Sequence, residues 1–384
     1  MSSLRAVSLG VSERLVTARL RDAGVTVDGD APHDMRVRDR RTFRRIVLEH
    51  SVGLGESYMD GWWDCDAPDQ LIERLLRAGS EQAFNPLTPA ARRVRDRALN
   101  LQSRRRSRTV AEVHYDLDNE LYRHMLDPRM VYTCGYWREA STLAEAQTAK
   151  LELICRKLDL QPGMRVLDIG CGFGSFMGYA AERYGVSCVG YSLSREQTAL
   201  GRELTDGLDV DLRLEDYRDI PKRNERYDRV VSIGMFEAVG RKNYRSWMEV
   251  VARSLAPDGA ALLHTIGANV SGSTERSFAE KHIFPGGMLP SLAQIGRAAE
   301  GLLLVDDLHN FGPDYATTLM AWNANFQAAW PELSRSGRYD ERFKRMWEFY
   351  LLSFAGGFRA RRWPLWQIVL SPPGSPLRHH RAHS

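Results

Sequence analysis

Val166-Leu167-Asp168-Ile169-Gly170-Cys171-Gly172-Phe173-Gly174 sets an acidic residue at the end of an apolar run, with three glycines directly after it. Gly170 and Gly172 let the chain turn sharply and bring its backbone close to a ligand, and the helix that follows offers free N–H groups. A glycine turn does not choose its ligand, because dinucleotide-binding folds use one too. A tight structural turn is the plainer account of the same residues. Two details favour S-adenosylmethionine. Asp168 lies inside the strand end, where a carboxylate takes up an ammonium directly or through water, and the spacing is Gly-x-Gly-x-Gly rather than Gly-x-Gly-x-x-Gly. The next strand ends Gly190-Tyr191-Ser192-Leu193-Ser194-Arg195-Glu196-Gln197, without an acid to hold ribose hydroxyls. Ser192 and Gln197 are left to supply hydroxyl and amide contacts. Farther on, Asp216 is placed to accept from an adenine amine and Tyr217 to cover the ring, with surface polarity as the competing account of each.

Such turns need strands before them and helices after them. Apolar runs at Arg165 to Ile169, Ser187 to Ser192, Asp211 to Leu214, Asp228 to Ile233 and Ala260 to Ile266 read as strands. Between them Phe173 to Tyr184, Ser194 to Leu204 and Asn243 to Leu255 read as helices; in the last, Tyr244, Trp247, Met248, Val251 and Leu255 follow helical spacing. The alternation predicts an α/β fold, a mostly parallel sheet covered on both faces, with ligands at the carboxyl ends of its strands. After Ile266 the pattern becomes more helical, through Asp314 to Ala329 and Glu341 to Phe354. Residues 1–80 read as a small mixed region, with strand or helix at Phe43 to Glu49 and an amphipathic helix at Asp69 to Arg77. The predicted partition is a small N-terminal domain over 1–85, a basic linker over 86–110 and a catalytic domain over 111–384.

Composition narrows the classes. A chain of 384 residues with 43% hydrophobic content has ample material for a core and is too long for one ordinary domain. No apolar run approaches the roughly 18 residues of a membrane span, and charges interrupt the N-terminal stretch where a signal peptide needs an apolar core. The five cysteines are odd in number and lack CxxC spacing, which argues against zinc and a disulfide framework and for a reducing cytoplasm. Arginine outnumbers lysine 47 to 6. Residues 92–108 hold eight arginines and one aspartate, a net of +7, so the rest of a chain whose total is +4 carries −3. A run of that kind attracts polyanions. No nucleic-acid motif accompanies it, so an anionic phospholipid surface is the better-motivated partner, beside the plainer account of a solvated linker.

Longer motifs carry a family. Gly53-Leu54-Gly55-Glu56-Ser57-Tyr58-Met59-Asp60-Gly61-Trp62-Trp63-Asp64-Cys65, His114-Tyr115-Asp116, Tyr132-Thr133-Cys134-Gly135-Tyr136-Trp137, Gly234-Met235-Phe236-Glu237, Leu262-Leu263-His264-Thr265-Ile266-Gly267 and Phe311-Gly312-Pro313-Asp314-Tyr315 follow one another along nearly the whole chain. In that order they resemble cyclopropane-fatty-acyl-phospholipid synthases, enzymes related to the mycolic acid cyclopropane synthases. The resemblance implies a class I S-adenosylmethionine-dependent methyltransferase sheet, Rossmann-like, with a small N-terminal domain. It implies that Tyr115 and Tyr132 close over the cofactor, that Gly170, Gly172 and Gly174 form its turn, and that Ser192 and Gln197 meet the ribose. It also implies a bicarbonate pocket made by Cys134, Glu237, His264, Tyr315 and the backbone of Ile266. Outside the motifs the same residues read as a structural histidine, a small buried cysteine and a core stripe of Tyr315, Leu319, Trp322 and Phe326. Relatives commonly read Phe-Glu-His-Val-Gly where this chain has Phe236-Glu237-Ala238-Val239-Gly240, so an imidazole beside Glu237 is missing.

The implied reaction makes physical demands. A cis double bond is a weak nucleophile, and a methyl sulfonium suits it because the leaving group departs neutral. Attack leaves a carbocation on the acyl chain, which requires a dry pocket and benefits from aromatic faces; Tyr136, Trp137, Phe284 and Trp322 are available. A base must then take a proton from the added methyl before the ring closes, a task given to bicarbonate oriented by Glu237 and His264. Glu237 follows a buried-looking strand, so it needs a polar partner. The implied partners are unsaturated phospholipid acyl chains at an anionic membrane surface, met from the cytoplasmic side by a peripherally bound homodimer. Trp62-Trp63 is a candidate interfacial anchor, with core packing the stronger account. A methyl- or methylene-branched product on the same fold is the competing outcome.

Overall fold

The computed structural model describes residues 8–79, 119–271 and 277–376. They gather into two compact units. The first joins 8–79 with 277–285 and 315–362; the second joins 119–271, 286–314 and 363–376. This boundary follows contacts rather than chain order, so helices read from sequence as catalytic cluster with the N-terminal segment.

The second unit is built on seven strands: β1 (Arg165–Ile169), β2 (Ser187–Ser192), β3 (Val210–Leu214), β4 (Tyr227–Ile233), β5 (Leu255–Ile266), β6 (Leu304–Asn310) and β7 (Leu365–Ser371). Their spatial order is β3-β2-β1-β4-β5-β7-β6. β7 runs antiparallel to both of its neighbours, with Leu263 opposite Ile368 and His264 opposite Gln367, and the other pairings are parallel. Successive strand residues serve opposite faces. Leu167, Val230, Leu263 and Ile368 enter one apolar cluster, while Val166, Val231, Leu262 and Val369 enter the other. Both faces are therefore buried, as near-continuous apolar strands require. The helices of this unit are α5 (Asn119–Met125), α6 (Leu143–Lys157), α7 (Ser175–Tyr184), α8 (Arg195–Leu204), α9 (Tyr244–Ser254) and α11 (Leu292–Ala299). Thr142 and Glu145 close a reciprocal capping box at the start of α6.

The first unit is helical: α1 (Leu9–Asp22), α2 (Arg41–Glu49), α3 (Ser51–Met59), α4 (Pro68–Arg77), α10 (Phe278–His282), α13 (Glu341–Arg359) and most of α12 (Gly312–Leu333). A two-residue ladder pairs Arg36–Val37 with Trp63–Asp64. Close approach selects glycine: a Cβ on Gly356 of α13 would lie 2.3 Å from the Asp69 carbonyl oxygen of α4. Trp63 is fully buried, and its indole N–H donates to the Leu54 carbonyl and to Ser57 Oγ, both at 3.1 Å. It packs the core and is no interfacial anchor. Trp62 is half-buried under the guanidinium groups of Arg41 and Arg45, 4.6 and 5.2 Å from its ring centre.

The parallel strands and their helices follow the expected pattern. The more helical character read after Ile266 is found in α12 and α13, while β6 and β7, which the reading passed over, extend the sheet. Tyr115, the linker and the arginine run at 92–108 fall outside the described residues.

Candidate active site

The glycine turn sits at the carboxyl end of β1, between β2 and β4, where the strand order reverses direction. Open α/β sheets bind ligands at that switch point. Gly170, Gly172 and Gly174 have φ of +87°, +55° and +74°, a region that glycine enters without a Cβ penalty. At Gly170 the demand is doubled, since a Cβ would stand 2.4 Å from the Met235 side chain. At Gly172 a Cβ would meet nothing within 4 Å, which leaves an open cradle. The Gly170 and Cys171 amides donate to the Tyr191 carbonyl at 2.9 and 3.1 Å, tying the turn to the end of β2.

Asp168 is buried, and its Oδ1 has no hydrogen-bond partner. Burial raises its carboxyl to about 7, opposed by the charge of Lys150. A buried, unsatisfied carboxylate oxygen beside an open glycine cradle fits an incoming ammonium, which removes the cost of leaving it bare. Tyr132 lies 5.0 Å from Tyr122, which lies 5.9 Å from Phe173 between the last two glycines, so an aromatic chain leads onto the turn. Ser192 is buried at the end of β2, where its Oγ accepts from the Ser194 amide at 3.2 Å. Gln197 is buried in the first turn of α8, whose start is capped by Ser194. Asp216 is occupied on both oxygens: Oδ1 accepts from the Arg218 amide at 3.0 Å and Oδ2 from its guanidinium at 2.9 Å. Tyr217 is buried in the main apolar cluster, with the Arg218 guanidinium 5.0 Å from its ring.

The second constellation forms where β4 ends. The Gly234 amide donates to the His264 carbonyl at 2.9 Å, the last contact of its kind before the chain turns away. The next β5 amide on that side belongs to Ile266, and it has lost its strand partner. Glu237, in the short turn Phe236–Ala238, replaces that partner: its Oε1 accepts from the Ile266 amide at 2.6 Å. Phe236 anchors the turn, stacked 4.5 Å from Tyr244 and edge-on to Trp247 at 4.9 Å. The other oxygen, Oε2, is buried without a partner. Burial raises the carboxyl to about 7, with the Ile266 hydrogen bond acting against it. Ala238 is exposed, so the imidazole missing here belongs to a surface position.

His264 is buried in β5. Its Nδ1 lies 3.3 Å from Gln367 Nε2 of β7, and its Nε2 has no partner. Burial, with the charges of Lys150 and Lys157, drives its protonation well below the ordinary range, so the ring is neutral. With Nδ1 accepting from the Gln367 amide, the ring proton sits on Nε2 as a donor without an acceptor. Phe311 packs 5.7 Å from this ring and 5.4 Å from Tyr136. The Trp137 amide donates to Asp314 Oδ2 at 2.7 Å, joining the two motifs that carry those aromatics.

Cys134 is fully buried, its Sγ 3.1 Å from the Gly135 carbonyl. Its loop is held from α6, where Gln147 Nε2 donates to the Thr133 carbonyl at 2.7 Å and Lys150 Nζ to Thr133 Oγ1 at 3.1 Å. Gly234 admits the loop, since a Cβ there would stand 2.8 Å from Thr133 Cγ2. Glu237, Ile266 and His264 are thus brought together on two strand ends. Tyr315 belongs to the first unit, where its ring packs 4.5 Å from Phe358 and edge-on to Trp322 at 6.1 Å. Phe284 is in that unit too, 5.7 Å from Tyr350. Sequence reasoning missed Gln367 because its strand went unrecognised. It missed Lys150 because a lysine in a helix normally faces water. Among the described residues no group of three potential ligands could hold a metal ion.

Residues 102–368 match the sequence profile of the family described as mycolic acid cyclopropane synthetase. The chain is 49% identical over 359 residues to a cyclopropane-fatty-acyl-phospholipid synthase of Escherichia coli strain K12, covering 93% of each chain. It is 32% identical over 363 residues to the tuberculostearic acid methyltransferase UfaA1 of Mycobacterium tuberculosis, covering 87% of this chain and 82% of that one. Among solved structures it resembles the mycolic acid cyclopropane synthase CmaA1 complexed with SAH and CTAB, with a TM-score of 0.63 and 34% identity over 68% of this chain and 97% of that one.

Proposed function

The chain belongs to the mycolic acid cyclopropane synthetase family, and from that premise we propose that it adds a methylene from S-adenosylmethionine across the cis double bond of a phospholipid acyl chain. Its fold and family are those of S-adenosylmethionine-dependent methyltransferases. The finer reading rests above all on two buried atoms without partners on neighbouring strand ends, Glu237 Oε2 and His264 Nε2.

When bound, the methyl donor supplies an electrophilic methyl group with a neutral leaving group. Gly170, Gly172 and Gly174 cradle it, Asp168 receives its ammonium, Tyr132 and Tyr115 cover it, and Ser192 and Gln197 meet its ribose. Asp216 and Tyr217 remain candidates at the adenine end, although Asp216 offers only lone pairs left over from Arg218. Near the developing carbocation Tyr136 and Phe311 present aromatic surface and no base of their own.

A bicarbonate ion held in the second constellation would supply the base for the proton on the added methyl. His264 Nε2–H and the Glu237 carboxylate, each with an unpartnered atom, would hold that ion as donor and acceptor. Cys134 and the Ile266 backbone belong to the same constellation, and Tyr315 is assigned to it by the family resemblance alone. A glutamate that titrates near 7 exchanges a proton with little driving force either way.

The remaining partners are read from sequence. The arginines at 92–108 meet anionic headgroups on the cytoplasmic face, and the enzyme works as a peripheral homodimer. No helix among the described residues is long and apolar enough to cross a membrane. The proposed functional division along the chain is a lipid-interaction domain over 1–85, a basic linker over 86–110 and a catalytic domain over 111–384.

The test is direct. Protein, S-adenosylmethionine and vesicles of monounsaturated phospholipid are incubated, and the fatty acids are analysed by mass. A gain of one methylene with loss of the double bond is expected. A retained alkene supports the second reading, a branched-chain product, which the 32% identity to a tuberculostearic acid methyltransferase keeps open.

A further inference from the structure

Lys150 of α6 is only 1% exposed, yet no step described so far uses it. Burying an ammonium is costly unless its charge is used. Its described hydrogen bond is to a neutral oxygen, Thr133 Oγ1 at 3.1 Å. Among the described residues no carboxylate stands within ion-pair distance of it. The charge acts through space, without direct contact. Asp127 after α5, Cys134 of the 131–135 loop, Asp168 of β1 and Cys155 of its own helix interact with it electrostatically, Asp127 most strongly, and it also acts on His264 of β5. Asp127 is supplied separately, accepting from the Arg129 and Val131 amides at 3.0 and 2.9 Å. Asp168 has no such supply for Oδ1. A fully buried acid with neither hydrogen bond nor countercharge would stay protonated at neutral pH, and a protonated Asp168 would be a poor acceptor for an ammonium.

We propose that Lys150 is a positioning residue of the methyl-transfer reaction: its buried ammonium holds Asp168 as a carboxylate for the methyl donor and, through Thr133, fixes the loop that presents Cys134. One charge then serves both the donor turn and the proton-removing pocket. The proposal rests on the reading that the glycine turn takes S-adenosylmethionine. Burial also lowers Lys150 itself to about 8, so its charge is present at neutral pH and is lost in mildly alkaline solution.

The probe is S-adenosylhomocysteine, whose binding is measured by calorimetry at pH 6.5 and pH 9 without any lipid. Lys150→Met keeps the length and removes the charge; Lys150→Gln also keeps a donor for Thr133. At pH 6.5 both should bind roughly tenfold or more weakly than the unsubstituted protein, the effect of moving a neighbouring acid by a unit or more. By pH 9 the gap should close, because Asp168 ionises in the variants while Lys150 discharges in the parent. The ligand's own ammonium titrates identically in all three and cancels in the ratio. Binding within twofold of the parent at pH 6.5 overturns the proposal, and so does a loss equal at both pH values, the mark of a merely structural role. Should neither variant fold, Asp168→Asn leaves Lys150 in place. Coupling is reciprocal, so the Lys150 ammonium, followed by NMR, must then titrate lower; an unmoved titration refutes the link. Failure of the parent to bind S-adenosylhomocysteine at either pH counts against the methyl-donor reading itself.

Discussion

Two glutamates with buried carboxylate oxygens, one in each unit, have opposite surroundings. Glu56 in α3 is met by the Arg45 guanidinium, by the Lys281 ammonium and by His282 Nε2 at 2.9 Å. Despite its burial these partners hold its carboxyl down to about 2. Glu237 is met by neutral groups, the Ile266 amide, its own backbone and the Thr265 hydroxyl, keeps one oxygen bare, and is raised to about 7. The first charge is fully answered from within the protein and is part of what holds the helices together. The second is left under-satisfied, which a fold tolerates where a ligand completes the site.

The sharpest way to break this contrast is to remove each carboxylate in turn. Glu237→Gln should lower turnover by roughly a hundredfold or more while S-adenosylhomocysteine binding is preserved; unchanged turnover would deny Glu237 its role. Glu56→Gln should do the reverse. Removing an ion from a buried pair costs about 3–5 kcal/mol, discounted here because Lys281 is one-third exposed. A loss of about 2 kcal/mol in chemical denaturation is expected, with the catalytic rate per folded molecule unchanged.

The two acids should also pull stability in opposite directions with pH. Glu56 is depressed in the folded state, so its stabilisation is full above about 4.5 and fades as pH falls toward about 2. Glu237 is raised, so the folded state holds its proton more tightly and loses stability as pH rises from about 4.5 through about 7. Glu237→Gln should therefore be more stable than the parent at pH 8, by on the order of 2 kcal/mol, and no more stable at pH 4. Equal differences at both pH values would mean that the carboxyl is not buried as described.

Smaller effects should refine the pocket further. Gln367→Leu removes the group that fixes the His264 tautomer, and about a tenfold loss of turnover is expected, since ring orientation is set by the partner of its other nitrogen. Replacing Arg104, Arg105 and Arg106 by Gln should weaken binding to anionic vesicles in a salt-dependent way. Turnover on detergent-dispersed lipid should change least of all.

The same contrast governs what the sequence made legible. Gly170, Gly172, Gly174 and Asp168 announce themselves because a turn with positive φ and an acid at a strand end depend on local spacing. Strands β1, β2 and β4 are legible for the same reason, each being a short, largely apolar run set between helical or turn segments. β6, reading Leu-Val-Asp-Asp-Leu-His-Asn, is an edge strand with little burial and so lacks the apolar signature. Glu237 and His264 came from a motif, but the bare oxygen and the neutral ring depend on Ile266 and Gln367, which only tertiary structure brings up. Lys150 is the clearest omission. In Leu-Ala-Glu-Ala-Gln-Thr-Ala-Lys it looks like a solvated helix residue, and nothing local indicates that it is buried.

The strand β7 lies in space between β5 and β6 yet comes last of the seven along the chain. During synthesis the edge of β5, with His264 on it, must therefore wait while α12 and α13 emerge from the ribosome. Only then does the strand carrying Gln367 arrive to cover it. A nascent chain released before residue 365 would present an apolar, unpaired strand edge to its neighbours, an invitation to aggregate. The surroundings of His264 are thereby tied to the synthesis of β7: a copy without that strand lacks the partner of its histidine.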